Sequence, residues 1–208
     1  MTADLSAVSW PVRCQRLSIR PATLEDAEAT WLYRRLPSVE QWMTARSPDL
    51  DVYRTRFMDP ERLAKTLVIE LDAVVIGDLM LAIEDAWAQS EVQDKARGVQ
   101  AELGWCLSPE HQGHGYATEA VAELLRICFD DIGLRRVRAD CFTDNTASWH
   151  LMERVHLRRE LHAVREARHR SGQWLDSFGY ALLADEWRAR HEHTHQQHGG
   201  VVRARSPE

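Results

Sequence analysis

The sequence predicts an α/β protein with a mixed sheet, and three observations carry that prediction. Val99, Ala101, Leu103, Trp105 and Leu107 alternate with Gln100, Glu102, Gly104, Cys106 and Ser108, the period-two pattern of a half-buried strand. That run passes through Ser108 to Gly115 into a segment where Ala117, Ala120, Val121, Leu124, Leu125 and Cys128 recur at helical spacing before Gly133. Two further strand pairs read as hairpins: the apolar, β-branched runs Thr66 to Leu71 and Val74 to Ile83 around Asp72-Ala73, and Arg158 to Arg170 with Gln173 to Leu182 around Ser171-Gly172.

The remaining segments complete the order β-αα-βββ-α-β-α-ββ. Residues 1–13 carry no pattern and are expected to form a flexible lead-in. Arg16 to Arg20 alternate as the first strand, closed by Pro21. Thr23 can cap a helix reaching Leu36, and Asp26 stands where an acid favours the helix N-terminus. After Pro37, Ser38 to Ala45 reads as a short second helix with Trp42 and Met43 turned inward. Residues 46–60 hold turn signals around one helical turn, Asp51 to Phe57. Glu84 to Gly98 is polar and reads as a long loop. Arg136 to Phe142 is a strand and Asn145 to Val155 a helix. Residues 14–190 form one domain in this reading. The tail, residues 191–208, lacks apolar periodicity and is expected to be disordered. Its histidines read as solvated side chains, because nothing orders them around a metal.

Composition narrows the function. A chain of 208 residues supports one sizeable core. A formal charge of −6 argues against nucleic acid as the partner. No apolar run approaches a membrane span, and the first residues lack the marks of a secretory signal. Four cysteines without a Cys-x-x-Cys pair read as thiols in a reducing cytoplasm. Basic charge is nearly all arginine, with Lys65 and Lys95 the only lysines.

The junction between the alternating run and its helix carries the chemistry. Gly113 and Gly115 let the backbone pass close to a bound group and leave N–H groups free at the helix start. That end carries about half a positive charge and suits a phosphate or diphosphate. Taken alone, the two glycines describe an ordinary tight turn equally well. No Gly-Lys-Ser/Thr follows, as a Walker loop requires, and Thr118 stands where a dinucleotide fingerprint needs glycine.

Gln112-Gly113-His114-Gly115-Tyr116-Ala117 resembles the Gln/Arg-x-x-Gly-x-Gly/Ala loop of the GNAT N-acetyltransferases. The wider run from Trp105 to Ala120 is similar to the RimJ/RimL-type branch. So is a second signature, Gly172-x-Trp174-x-Asp176-x-x-x-Tyr180-x-x-Leu183-x-x-Glu186-Trp187. The resemblance spans roughly residues 15 to 188. It implies the GNAT fold: a mostly antiparallel mixed sheet of about seven strands with about four helices, splayed between the fourth and fifth strands. It also implies acetyl-CoA as co-substrate, with no metal. Leu107, Ser108, Gln112, Gly113, His114, Gly115, Tyr116 and Ala117 would hold it, together with Asn145 and Ser148. The activity implied is direct acetyl transfer to a primary amine, either a protein N-terminal α-amine or a small-molecule amine. Homodimers are common in this branch. A non-catalytic acyl-CoA-binding module, or transfer of another acyl group, stays open.

Acetyl transfer requires the amine to lose its proton, because an alkylammonium with a pKa near ~10.4 has no lone pair to attack with. The developing oxyanion and the leaving thiolate need donors. Glu102 is the first candidate base, on the small-residue face of its strand, where it reads equally as a solvated carboxylate. Glu166 is the rival that the resemblance suggests, although Arg168 lies nearer the matching position. Ser148 is placed by the resemblance facing the coenzyme sulfur, and Asn145 doubles as a helix cap. Two departures stand out: Met152 replaces a tyrosine acid common in the family, and Val155-His156-Leu157 replaces Leu-Gly-Phe. The lost glycine suggests a different helix end. Glu84 to Asp94 is a candidate cover for the acceptor, with Trp31, Tyr33 and Trp42 as candidate groove aromatics.

Overall fold

The computed structural model describes residues 5–46 and 48–190. Eight strands form one sheet: β1 (Val12–Arg13), β2 (Ser18–Pro21), β3 (Thr66–Leu71), β4 (Val74–Glu84), β5 (Gln100–Leu107), β6 (Arg136–Phe142), β7 (Arg158–Arg168) and β8 (Trp174–Leu183). Their spatial order is β1-β2-β3-β4-β5-β6-β8-β7. Every neighbouring pair is antiparallel except β5 and β6, which are parallel. The helices are α1 (Asp26–Arg34), α2 (Pro37–Glu40), α3 (Leu50–Phe57), α4 (Pro60–Leu63), α5 (Tyr116–Arg126) and α6 (Thr146–Arg154). Residues 184–190 add a helical end.

Helices flank both faces of the sheet, and strand alternation decides which residues meet which layer. Leu67 and Ile69 of β3 join the main core with Leu81, Leu103, Val121 and Leu124. Val68, between them, faces the other way and packs with Ala27, Tyr53 and Phe57 of the α1–α3 layer. α5 continues in a π-helical turn, Ile127–Asp131, that buries Ile127, Cys128 and Phe129. The β3–β4 hairpin closes with Leu71 opposite Val74, and Asp72 and Ala73 both take positive φ, 50° and 63°. That is the turn whose twist matches its strands.

Besides adding α4 and the helix at residues 184–190, the structure departs from the expected elements in four places. Residues 5–13 pack onto the domain: Val8 is buried, the Trp10 indole donates to the Leu5 carbonyl at 3.1 Å, and β1 pairs with β2. β1 raises the strand count from seven to eight, and two residues are too few to show alternation. The second helix is one turn, Pro37–Glu40, instead of reaching Ala45. α3 is a full eight residues, capped by the Asp49 carboxylate accepting from the Val52 N–H. Three-residue-per-turn helix occupies Ser90–Ala96 inside the expected loop. The tail read as disordered, residues 191–208, lies outside the described residues.

At the start of α1, the Asp26 carboxylate accepts from the Thr23 N–H at 2.7 Å and from both terminal nitrogens of Arg20 at 2.7 and 2.8 Å. Asp26 thus closes the helix entry and ties it to β2. At the end of α6, the lost family glycine does not change the helix end. His156 takes a φ of 68°, its N–H donates to the Glu153 carbonyl, and the Leu157 N–H donates to the Met152 carbonyl. This is the two-bond left-handed helix stop, with a histidine where glycine is easiest.

Candidate active site

The parallel β5–β6 ladder holds only three pairs, Gln100 with Arg136, Ala101 with Val137 and Glu102 with Arg138. Beyond them the strands part, as the resemblance implied, and Leu103 to Leu107 have no ladder partner on β6. In a seven-strand count this is the split between the fourth and fifth strands. The opening leads into a cavity of about 750 Å³, within the range that holds small ligands. Glu102, Gly104, Asn145, Ser148 and Glu166 all line it, with Trp42 at the α2 side. Residues far apart in the chain therefore share one space.

The donor loop lies beside this opening. Ser108 donates its N–H to Ile76, and the Gln112 side-chain amide donates to the Leu107 carbonyl at 3.1 Å, fastening the loop to the end of β5. Gly113 and Gly115 both have φ of 80°, and Gly115 is the residue that starts α5. No side chain caps that helix start, and a Cβ at Gly113 would meet open space. The Nδ1 of His111, just before the loop, is buried without a hydrogen-bond partner. Free helix-start donors and an open backbone concavity fit a diphosphate. Arg16 braces the loop from β2's side: its guanidinium donates to Glu119 at 2.7 Å and to the His114 carbonyl at 3.0 Å, and lies over the Tyr116 ring. Nothing in the loop motif itself pointed to Arg16.

In the cavity the carboxylates are not equivalent. Glu102 accepts from Arg138 at 2.7 Å, and Arg138 also bonds Asp140 at 2.6 Å and Glu84 at 3.2 Å. Taking a proton on Glu102 would forfeit part of that ion network. Among the described residues, Glu166 accepts only the Ser177 hydroxyl, at 2.8 Å. A bulge places it there: Ala163 pairs with Ser177 and Ala167 with Leu175, so three residues of β7 oppose the single Asp176. Arg168 pairs with Trp174, lies over that ring and does not line the cavity. The resemblance put Arg168 nearer the matching position, and strand alternation put Glu166 on the same face; the bulge sets the register of this stretch, and Glu166 is the one that lines the cavity.

Asp140 escaped the sequence reading although the alternation of Arg136, Arg138, Asp140 and Phe142 placed it on the site face. Burial pushes its carboxyl up, helped by the charges of Glu166 and Glu84, against the pull of Arg138. Ser148 sits next to the Cys141 thiol, which burial pushes up to about 11 while the Ser148 hydroxyl pulls it down. The Asn145 side chain caps α6 by accepting from the Ser148 N–H at 3.4 Å, so one residue lines the cavity and starts the helix. Met152 is buried in the core.

Of the groove aromatics, only Trp42 lines the cavity. Tyr33 is buried and donates to Asp78 at 2.6 Å, and Trp31 packs in the α1–α3 layer. Residues 84–98 line no part of it; Met43, Thr44 and Ala45 do. The cavity is thus bordered by the segment after α2 and not by the stretch expected to cover it.

Residues 16–158 match the acetyltransferase (GNAT) domain, and the chain belongs to that family. It is 28% identical over 177 residues to the uncharacterized N-acetyltransferase p20 of Bacillus licheniformis, covering 83% of this chain and 96% of that one. It is 34% identical over 86 residues to the uncharacterized N-acetyltransferase YnaD of Bacillus subtilis strain 168, a match spanning 41% of this chain and half of that relative. Its structure superposes on a GNAT-family acetyltransferase from Bacillus anthracis with a TM-score of 0.71 at 26% identity, covering 85% of this chain and 99% of the other. Mycobacterium smegmatis RimJ, in complex with CoA-disulfide, shares the fold with a TM-score of 0.68 at 24% identity, over 85% and 90% of the chains. Among the described residues, no helix is long and apolar enough to cross a membrane.

Proposed function

We propose that the protein is an acetyl-CoA-dependent N-acetyltransferase of RimJ/RimL type that passes the acetyl group directly to a primary amine. The observation that carries this reading is the meeting of Glu102, Glu166, Asn145 and Ser148 in one cavity at the β5–β6 split. Acetyl-CoA supplies the activated thioester. The main chain of Gly113 to Ala117 would grip its diphosphate, with Leu107, Ser108 and Gln112 shaping the approach and Asn145 reaching the pantetheine arm.

Glu166 is the base in this mechanism. Its carboxylate is held by a neutral hydroxyl, so it can take the ammonium proton, directly or through a water, without breaking an ion pair. Glu102 anchors Arg138, and Asp140 completes the acidic wall that draws a protonated amine inward. The Ser148 hydroxyl donates to the departing thiolate, the role left vacant by Met152. A cavity of this size suits a small amine or the terminal residue of a peptide better than an extended chain.

Thiol release from acetyl-CoA across an amine panel tests the reading, beside calorimetry of CoA binding. Acceptor-dependent thiol is the expected result. Tight CoA binding with no acceptor-dependent thiol would instead favour the non-catalytic module.

A further inference from the structure

The cavity has two electrically different sides. Glu102, Asp140 and Glu166 lie toward the β5–β6 split. Arg56 of α3, Arg62 of α4 and Lys65, the residue before β3, line the other side. The cations of the cavity also differ in how they are matched. Arg34 bonds Asp78 and Arg56 donates to the Arg46 carbonyl, while Arg138, which does not itself line the cavity, is shared by Glu84, Glu102 and Asp140. Arg62 and Lys65 are partly buried, yet neither makes an ion pair among the described residues. The Arg62 guanidinium carbon lies 5.5 Å from the centre of the Tyr53 ring.

Both are fixed at their backbones. The Arg62 N–H donates to Asp59, its carbonyl accepts from the Thr66 hydroxyl at 2.7 Å, and the Lys65 carbonyl accepts from Leu81 at 2.9 Å. A partly buried cation without a counter-charge is costly. It is the more unusual in a chain with 32 acidic residues against 26 lysines and arginines. A charge left unmatched at a wall of the acceptor cavity is one that a ligand can match.

We infer that the acceptor is a small molecule carrying both a primary amine and an anionic group, a carboxylate or a phosphate. Arg62 and Lys65 hold the anion, with Arg56 beside them, and the amine end is directed to Glu102 and Glu166. The inference rests on the acetyl-transfer reading and assigns its substrate class. Opposite charge at the two sides orients the acceptor with its amine toward the split, which positions it for attack. A polyamine would bring a second cation against Arg62 and Lys65, a like-charge contact that selects against it.

The test compares acceptors matched in size: β-alanine against β-alaninamide, and O-phosphoethanolamine against ethanolamine, with spermidine as the polycation. The anionic members are expected to show kcat/KM at least tenfold above their neutral partners, and the two pairs decide between carboxylate and phosphate. In Lys65→Met and Arg62→Met that ratio should collapse towards one, and Lys65→Arg should restore it, while acetyl-CoA affinity keeps its wild-type value. Neutral amines or spermidine used as well as the anionic ones would overturn the assignment. A binding arm needs no turnover: with CoA present, N-acetyl-β-alanine should bind the wild type and lose affinity in Lys65→Met, whereas N-acetyl-β-alaninamide should not bind. Equal binding of the two, or of neither, also overturns it. Acetyl-CoA binding and total thiol release report separately on the reading beneath.

Discussion

The donor loop and the acceptor cavity are built in opposite ways. The loop is one continuous stretch, residues 107–117, whose working groups are main-chain N–H donors exposed by two left-handed glycines. The cavity is assembled by side chains from strands β3 to β8 and the α1–α4 layer, with charges matched or left unmatched across the fold. Backbone donors serve any molecule that carries the same diphosphate. In the proposed function, acceptor choice would rest on side chains that no single segment controls.

That contrast can be broken first at the chemistry. Glu166→Gln should lower kcat by about 10²–10⁴-fold and leave the KM for acetyl-CoA near its wild-type value. Steady-state kinetics with a saturating acceptor decide it, and a larger loss in Glu102→Gln would transfer the role of base. Next comes the loop. Gly115→Val forces a β-branched residue to a φ of 80°, which costs about 1–2 kcal/mol; a free loop that relaxes out of this conformation must regain it to bind, so acetyl-CoA affinity should fall by up to about 5–30-fold. Calorimetry showing an unchanged Kd would remove the main-chain cradle from the account.

Two substitutions away from both regions sharpen the comparison by touching stability alone. Asp26→Asn removes the ion pair with Arg20, while its Oδ1 can still accept from the Thr23 N–H, and should cost about 1–3 kcal/mol in chemical denaturation. Burial raises the Asp26 carboxyl, but Arg20 and the Thr23 N–H outweigh it and hold the group below its usual range. A folded value below the unfolded one means the stabilisation is complete above about pH 4 and disappears as pH falls through the folded value. Wild type and variant should therefore converge in acid; a gap that persists there would contradict the assignment. The smallest effect is His156→Gly, a gain of about 0.5–1 kcal/mol from relieving a left-handed histidine, read as a higher Tm.

Legibility followed the range of the interactions. The β3–β4 turn, the β5-loop-α5 unit, β6 and the α6 cap were readable because each depends on neighbours within a few residues. Asn145 illustrates this, since its cap partner is Ser148. Glu166 was the harder case. Its placement depends on a bulge against Asp176, whose carboxylate accepts from the Arg165 N–H at 2.8 Å, and periodicity cannot register inserted residues. Arg16 was invisible as a loop brace because its partners Glu119 and His114 lie about a hundred positions away. Asp140 could have been found, since the β6 alternation already placed it beside Arg138.

From its residues alone this chain declared its family, its strand-loop-helix cradle and most of its hairpins, because φ preferences and apolar spacing act locally. Folding decided what those preferences leave open: which carboxylate stays clear of an arginine, which cations lack an ion pair among the described residues, and which segment borders the cavity. Those outcomes depend on distances between groups remote in the chain, and such distances exist only once the sheet and its two helical layers have closed.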